Sequence, residues 1–324
     1  MKPECVLFDV DGCLVDIRKS YNAAIKKTVD FTLKYVATSA KGVTDNFRLA
    51  NLVSDNLILK FRQTGGFNND IDTSYAICLA ELANPHKSVT SARRFLFRVA
   101  ANSDEDGIIS VEKFLMSLNS SAILIKDLKK LLDYPPPLGR KSVIATVFDE
   151  LSYGPELFKK LHNFEPKFYF GKPLIENDRV VIRRGTMELL ARRFRGNLAL
   201  VSGRSKLAAE YSLRPILDTL KQDSSVFLED EKREYAKPNP YAIIKAMKSM
   251  GTKTAIYAGD SYEDLIMVRR VEEKTHLKIA FCGIYGCSPQ PLKAIRQFKE
   301  KGADVIIQSI NELPKILNKV SIKE

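Results

Sequence analysis

Apolar and polar positions along the chain fall into two regimes. Residues Cys5, Val6, Leu7 and Phe8 form an unbroken apolar run that ends in Asp9. That is the pattern of a parallel strand buried on both faces, with a carboxylate delivered at its C-terminal edge. The stretch that follows changes period. Tyr21, Ala24, Ile25, Thr28, Val29, Thr32, Leu33 and Val36 recur at helical spacing and predict a helix over 19–36. Further helical patterns run over 47–61, 74–82, 92–101, 111–118, 122–132 and 142–151, and none alternates as a strand would. Pro135, Pro136 and Pro137 mark a stiff connector, and 164–172 is loosely patterned. From 177 onward short apolar runs alternate with helical segments. Strands are predicted at 198–201, 226–228, 254–258, 279–282 and 304–307, with helices at 205–220, 241–250, 264–273 and 292–301 between them. Gly196 suits a left-handed cap after the helix before the first of these strands, and Ser309 with Glu312 would open the closing helix as a capping box.

Strand–helix alternation predicts an α/β fold: a Rossmann-like parallel sheet with helices on both faces. The first strand is separated from its sheet partners by the helical block. The economical arrangement is a core built from both chain ends, 1–16 and 179–324, with 17–178 inserted as an all-helical second domain.

Composition narrows the class without naming a chemistry. The 324 residues are 45% hydrophobic and 28% charged, enough apolar content for two buried cores. No apolar run reaches the length of a bilayer crossing, and the N-terminal residues lead straight into the first strand with no signal-peptide pattern, so a cytoplasmic protein without membrane partners is expected. Five scattered cysteines read as reduced thiols, without zinc-ligand spacing. A net charge of +12 favours anionic substrates. The Lys and Arg residues are dispersed, with no long tract and no interleaved aromatics, which argues against nucleic acid as a partner. Nothing in the composition decides the oligomeric state, and a homo-oligomer stays open.

The chemistry gathers at strand ends, where open α/β sheets bind ligands. Asp11 follows Asp9 by two residues, and Gly12 permits the turn that keeps both carboxylates near one point. Two close carboxylates repel, so they call for a cation between them or a proton on one. Ser202 and Gly203 end the strand over 198–201: a small hydroxyl and an open amide before a helix suit phosphate oxygens, although Ser is equally a good N-cap. Lys237 lies beside Pro238 with Pro240 close behind, a rigid frame useful for a charge facing phosphate and carboxylate, or simply a turn with a surface lysine. Asp260 and Asp264 flank a strand-to-helix turn and can face one cation; an N-cap pair at the helix dipole is the bland alternative.

Taken together these stations resemble the haloacid dehalogenase superfamily, in its phosphoglycolate-phosphatase-like branch with an enlarged helical cap. The family pattern DxDGxxxD is met by Asp9, Asp11, Gly12 and Asp16, the hydroxyl station by Ser202, the lysine by Lys237, and GDxxxD by Gly259, Asp260 and Asp264. The resemblance implies a Mg²⁺-dependent phosphatase acting on a small phosphorylated metabolite. In it Asp9 would attack phosphorus, Asp11 would act as acid and base, and Ser202 and Lys237, with Gly12 and Gly203, would hold the phosphoryl group. Asp9, the Asp11 carbonyl and Asp260 would bind Mg²⁺, with Asp264 in support. The second aspartate, Asp11, favours phosphate chemistry over dehalogenation. A sugar-phosphate mutase is the alternative enzyme, and an idle scaffold or binding protein the alternative from another class. The interval from Asp9 to Ser202 is longer than the simple four-helix lid of phosphoglycolate-phosphatase-like relatives.

Inside the insertion, residues 63–70 carry paired glycines and read equally as a substrate-facing loop or a helix connection. Arg62, Arg93 and Arg94 could meet a second anionic group, or lie solvated on the surface. Residues 102–113 resemble an EF-hand loop, but Lys113 stands where the bidentate glutamate belongs. An acidic turn before a helix capped at Ser110 is the reading preferred, with a structural Ca²⁺ as the alternative.

Overall fold

The computed structural model describes residues 2–39, 52–67, 69–86, 88–118, 122–136 and 142–317. It divides into two compact units, Met1–Ile17 with Asp178–Glu324, and Arg18–Asn177.

In the first unit, β1 (Cys5–Phe8), β4 (Leu198–Ser202), β5 (Val226–Phe227), β6 (Thr254–Gly259), β7 (Lys278–Ile284) and β8 (Val305–Ile307) form one sheet in the order β5-β4-β1-β6-β7-β8. Every pairing in it is parallel. The apolar runs are continuous rather than alternating because both faces are covered: each residue of β1, β4 and β6 is buried. A core of Leu7, Val201, Tyr257, Val268, Met247 and Phe281 fills one side. From the central β1 the sheet runs outward through β4 and β5 on one side, and through β6, β7 and β8 on the other. That reversal places a crevice at the C-terminal end of β1. Phe8 pairs with Leu200 on one flank and Ala258 on the other, so Asp9, Ser202 and Asp260 leave the sheet along one edge.

Two further strands, β2 (Val15–Asp16) and β3 (Arg179–Val180), pair antiparallel where the chain leaves and re-enters this unit. Strands of two residues carry no period, so pattern reading could not find them. The helices are α8 (Arg184–Arg193), α9 (Lys206–Leu213), α10 (Tyr241–Met250), α11 (Tyr262–Lys274), α12 (Pro291–Glu300) and α13 (Leu313–Ile316). Three expectations need shortening. The helix over 205–220 ends at Leu213, before Pro215, and the strand over 226–228 stops at Phe227, where a 3-10 turn begins. The Ser309–Glu312 capping box is present, but it opens a 3-10 turn and then only the four residues of α13.

The α-helices among the second unit's described residues are α1 (Tyr21–Ser39), α2 (Asp55–Arg62), α3 (Asp70–Leu82), α4 (Val89–Ala101), α5 (Ile108–Ser117), α6 (Ala122–Leu132) and α7 (Val143–His162), and no strand lies among those residues. The helix expected over 47–61 begins only at Asp55, because Ser54 caps it by accepting from Leu57 N–H; residues 47–51 of that expectation lie outside the described residues. The helix over 142–151 continues to His162 across a break at Gly154 and Pro155. The loosely patterned 164–172 is held without regular structure: buried Glu150 accepts the N–H groups of Lys167, Phe168 and Tyr169 at 2.6–2.7 Å.

Candidate active site

The site is assembled from segments that follow four neighbouring strands, β5, β4, β1 and β6, with Lys237 in the segment after β5. Asp9 is the first residue beyond β1, and its N–H donates to Ala258 O at 2.8 Å, which ties it to β6. A tight turn follows, closed by Gly12 N–H to Val15 O and by Leu14 and Val15 N–H to Val10 O. Gly12 sits at φ +71°, and a Cβ there would lie 1.8 Å from Asp260 Oδ2. Glycine is required twice over, for the backbone conformation and for the close approach of that carboxylate.

Beyond β6, Asp260 and Asp264 open α11. Ser261 caps the helix by accepting from Asp264 N–H, and Asp264 returns the contact to the Ser261 backbone N–H. The N-cap is thus Ser261 rather than an Asp260–Asp264 pair, and Asp9, Asp260 and Asp264 each offer an oxygen within 4.8 Å of the others, a group that could hold a cation. No other such group of three acidic, His or Cys side chains occurs among the described residues. Asp264 is the most enclosed of the three. Its Oδ1 accepts from Lys237 at 2.8 Å and the Tyr257 hydroxyl at 2.9 Å, and its Oδ2 from the Ser261 hydroxyl at 2.7 Å. With both oxygens engaged, it is better placed to orient Lys237 than to give a full ligand bond.

Lys237 bridges Asp9 Oδ1 and Asp264 Oδ1, each at 2.8 Å. Burial pushes the lysine down, but the two facing carboxylates outweigh it and hold the ammonium well above its usual range. One ammonium cannot balance every carboxylate here. Burial pushes the Asp9 carboxyl up to about 7 against the pull of Lys237, and Asp264 and Asp11 add repulsion. A cluster of hard oxygens short of positive charge fits a divalent cation such as Mg²⁺.

Ser202 ends β4 fully buried, and its hydroxyl accepts from Arg204 N–H at 3.1 Å, while Gly203 is exposed. The Asp11 side chain is turned to Arg204, whose Nε donates to Asp11 Oδ1 at 2.6 Å. Asp16 closes the β2 edge with Arg179 at 3.4 Å. Tyr257 and Arg204 are the residues that pattern reading passed over. By pattern alone Tyr257 is one more aromatic within a strand run, and Arg204 one more dispersed basic residue.

A family profile described as "Hydrolase: haloacid dehalogenase-like hydrolase" matches residues 3–272, most of the chain. The chain belongs to the haloacid dehalogenase-like hydrolase family. No curated protein sequence matches it. Among solved structures, this hydrolase is similar to an X-ray structure of a Northeast Structural Genomics Consortium target, at 15% identity and TM-score 0.62, covering 98% of this chain and 99% of that one. It is also similar to phosphatase Tt82 from Thermococcus thioreducens, at 20% identity and TM-score 0.59 with the same coverage. At those identities the likeness speaks for the fold.

The candidates inside the hydrolase's insertion resolve into local packing. Gly66 lies against the 104–107 turn, where a Cβ would stand 2.4 Å from Asp104 O and 2.5 Å from Gly107 N, so a glycine there serves a helix connection. Asn68 lies outside the described residues. Arg62 is taken by Asp70 at 2.7 Å and Asn22 at 3.2 Å, and Arg93 and Arg94 are exposed on α4. In the 102–113 run Lys113 pairs with Asp106 at 3.4 Å, and the carboxylates do not converge as Ca²⁺ ligands. The helix there is capped at Gly107, not Ser110, whose hydroxyl donates back to Gly107 O.

Proposed function

We propose that this hydrolase is a Mg²⁺-dependent phosphatase of small phosphomonoesters that works through an aspartyl-phosphate at Asp9. The observation that carries the reading is the convergence of Asp9, Asp260 and Asp264 with Lys237 at the C-terminal edge of the sheet. Asp9, Asp260 and the Asp11 carbonyl would hold Mg²⁺, which when bound neutralises charge on the phosphoryl oxygens. A carboxylate oxygen of Asp9 bonds to phosphorus as the P–O bond to the leaving group breaks, and Asp11 gives that oxygen its proton. Asp11 then takes a proton from water as the water oxygen attacks phosphorus, which releases phosphate and restores Asp9. Lys237, Ser202 and the Gly12 and Gly203 backbone position the group in transit, the main source of rate in phosphoryl transfer. In this reading the inserted residues 18–177 act as a cap that decides which ester is accepted.

Phosphate release from a panel of sugar, alkyl and aryl phosphomonoesters is expected with Mg²⁺ and is expected to vanish in EDTA. Transfer of phosphate between positions without net release would replace this reading with a mutase, and silence on every ester would end it.

Mg²⁺ binding should also depend on pH. Below about 7 Asp9 carries a proton that the cation must displace, so apparent affinity should rise about tenfold per pH unit up to about 7 and flatten above it. Titration calorimetry between pH 5.5 and 8.5 reads this directly. A flat profile would show that Asp9 is not the ligand.

A further inference from the structure

Arg204 follows Ser202 and Gly203 at the exit of β4, and its side chain is 1% exposed. A guanidinium cannot escape burial by losing its proton, so it must be paired. Its Nε donates to Asp11 Oδ1 at 2.6 Å, and its Nη1 donates to Asp178 Oδ2 and to Ser212 Oγ, both at 2.7 Å. The Ser212 hydroxyl donates onward to Asp178 Oδ2 at 2.6 Å. The two carboxylates differ in setting. Asp178 is 3% exposed and its Oδ2 accepts from both Arg204 and Ser212, whereas Asp11 is 30% exposed at the sheet edge. One planar fork thus fastens an accessible carboxylate to a buried anchor.

The anchor's place in the chain adds to this. Asp178 is the first residue of the α/β unit after the insertion. It directly precedes β3, which pairs with β2 just beyond the Asp9–Asp11 turn. Arg204 therefore links Asp11 to the segment by which the chain re-enters the core.

We propose that Arg204 is a positioning residue for the acid/base step, holding the Asp11 side chain on the Asp178 anchor without itself touching substrate. This rests on the phosphatase reading, in which Asp11 protonates the leaving oxygen and later takes a proton from water. An unheld carboxylate at a sheet edge samples several rotamers, and proton transfer tolerates little misplacement. Lysine is a poor substitute, because its point charge cannot span two acceptors with a fixed fork.

The rival is a buried ion pair that serves stability alone, and leaving-group chemistry separates the two. An alkyl phosphate needs the proton from Asp11 to depart, whereas 2,4-dinitrophenyl phosphate does not. Full-length wild type, Asp9→Asn, Asp11→Asn, Arg204→Lys and Asp178→Asn would be assayed with Mg²⁺ on 2,4-dinitrophenyl phosphate and on the most active primary alkyl phosphate. For Arg204→Lys, kcat/KM on the alkyl ester is expected to fall about 10- to 100-fold, and on the dinitrophenyl ester less than about threefold. Asp178→Asn should fall in the same direction by less, and Asp11→Asn by more. In both positioning variants a rapid burst of dinitrophenolate, equal to the enzyme present, should precede a slower steady rate, because hydrolysis of the aspartyl-phosphate also waits on Asp11. Should Arg204→Lys not fold, as read by its melting transition, Asp178→Asn decides by the same two readouts. Equal losses on both esters, or no loss, overturn the proposal while leaving the phosphatase reading intact. Absence of Asp9-dependent release from the wild type overturns both.

Discussion

Asp9→Asn should abolish turnover, lowering kcat/KM by more than about 10⁴-fold, while leaving the fold intact. The amide keeps the shape of the side chain, and its oxygen can still accept the Val10 N–H that Asp9 Oδ1 accepts at 2.8 Å. It can also still receive Lys237. What disappears is a buried charge beside Asp264 and Asp11. Ionising Asp9 is unfavourable in the metal-free protein, where burial pushes its carboxyl up to about 7. A carboxyl whose folded pKa is raised destabilises the fold as pH climbs from the unfolded value through the folded one. In EDTA at pH 8 the variant should therefore melt no lower than wild type. With Mg²⁺ the order reverses, because only wild type gains from the cation. Melting curves with and without Mg²⁺, beside an assay on the best ester, read all three effects. Activity retained by Asp9→Asn would remove the nucleophile from this account, and an unchanged Mg²⁺ shift would remove Asp9 from the cation site.

Lys237→Met should damage both activity and stability, and its effect should depend on pH. The ammonium touches Asp9 and Asp264 at 2.8 Å, and all three side chains are buried or nearly so. Removing one partner of such a cluster leaves uncompensated buried charge, which typically costs about 3–5 kcal/mol. Asp9 can relieve this by taking up a proton. Its folded pKa, already raised by burial, then rises further, so the loss is smaller near pH 5 and grows as pH rises toward 8. Urea unfolding at those two pH values in EDTA tests the sign. Activity should fall about 10²- to 10³-fold with Mg²⁺, the scale for losing one preorganised charge at a phosphoryl group. A variant equally destabilised at both pH values would show that Lys237 acts by packing rather than by balancing charge.

Asp264 shows why the two substitutions should not be read as independent. It receives Lys237, Tyr257 and Ser261 at once, so a change at any of them is felt at Asp9 through the shared lysine. Effects at Asp9 and Lys237 should therefore be non-additive, as for residues of one network.

The order of elements and the chemistry of the strand ends were legible in the sequence because both are local. Buried parallel strands need unbroken apolar runs, such as 5–8 and 254–258, and the reactive side chains stand directly after those runs. Asp9, Asp11, Ser202, Asp260 and Asp264 could be named on that ground, and Lys237 from its Pro238 and Pro240 frame. What pattern reading could not supply was which neighbour each side chain turns to, since that depends on residues far apart in sequence meeting across the sheet. Only the tertiary structure turns Asp11 toward Arg204, ties Arg204 to Asp178, and brings Tyr257 onto Asp264. It also bears on readings that the sequence left open. Gly66 is needed because backbone approaches backbone at the 104–107 turn, and Lys113 meets Asp106 where a calcium loop would need a glutamate. Period and composition determine which segments are buried and which polar groups end them; the direction of each polar group is set by the packing that surrounds it.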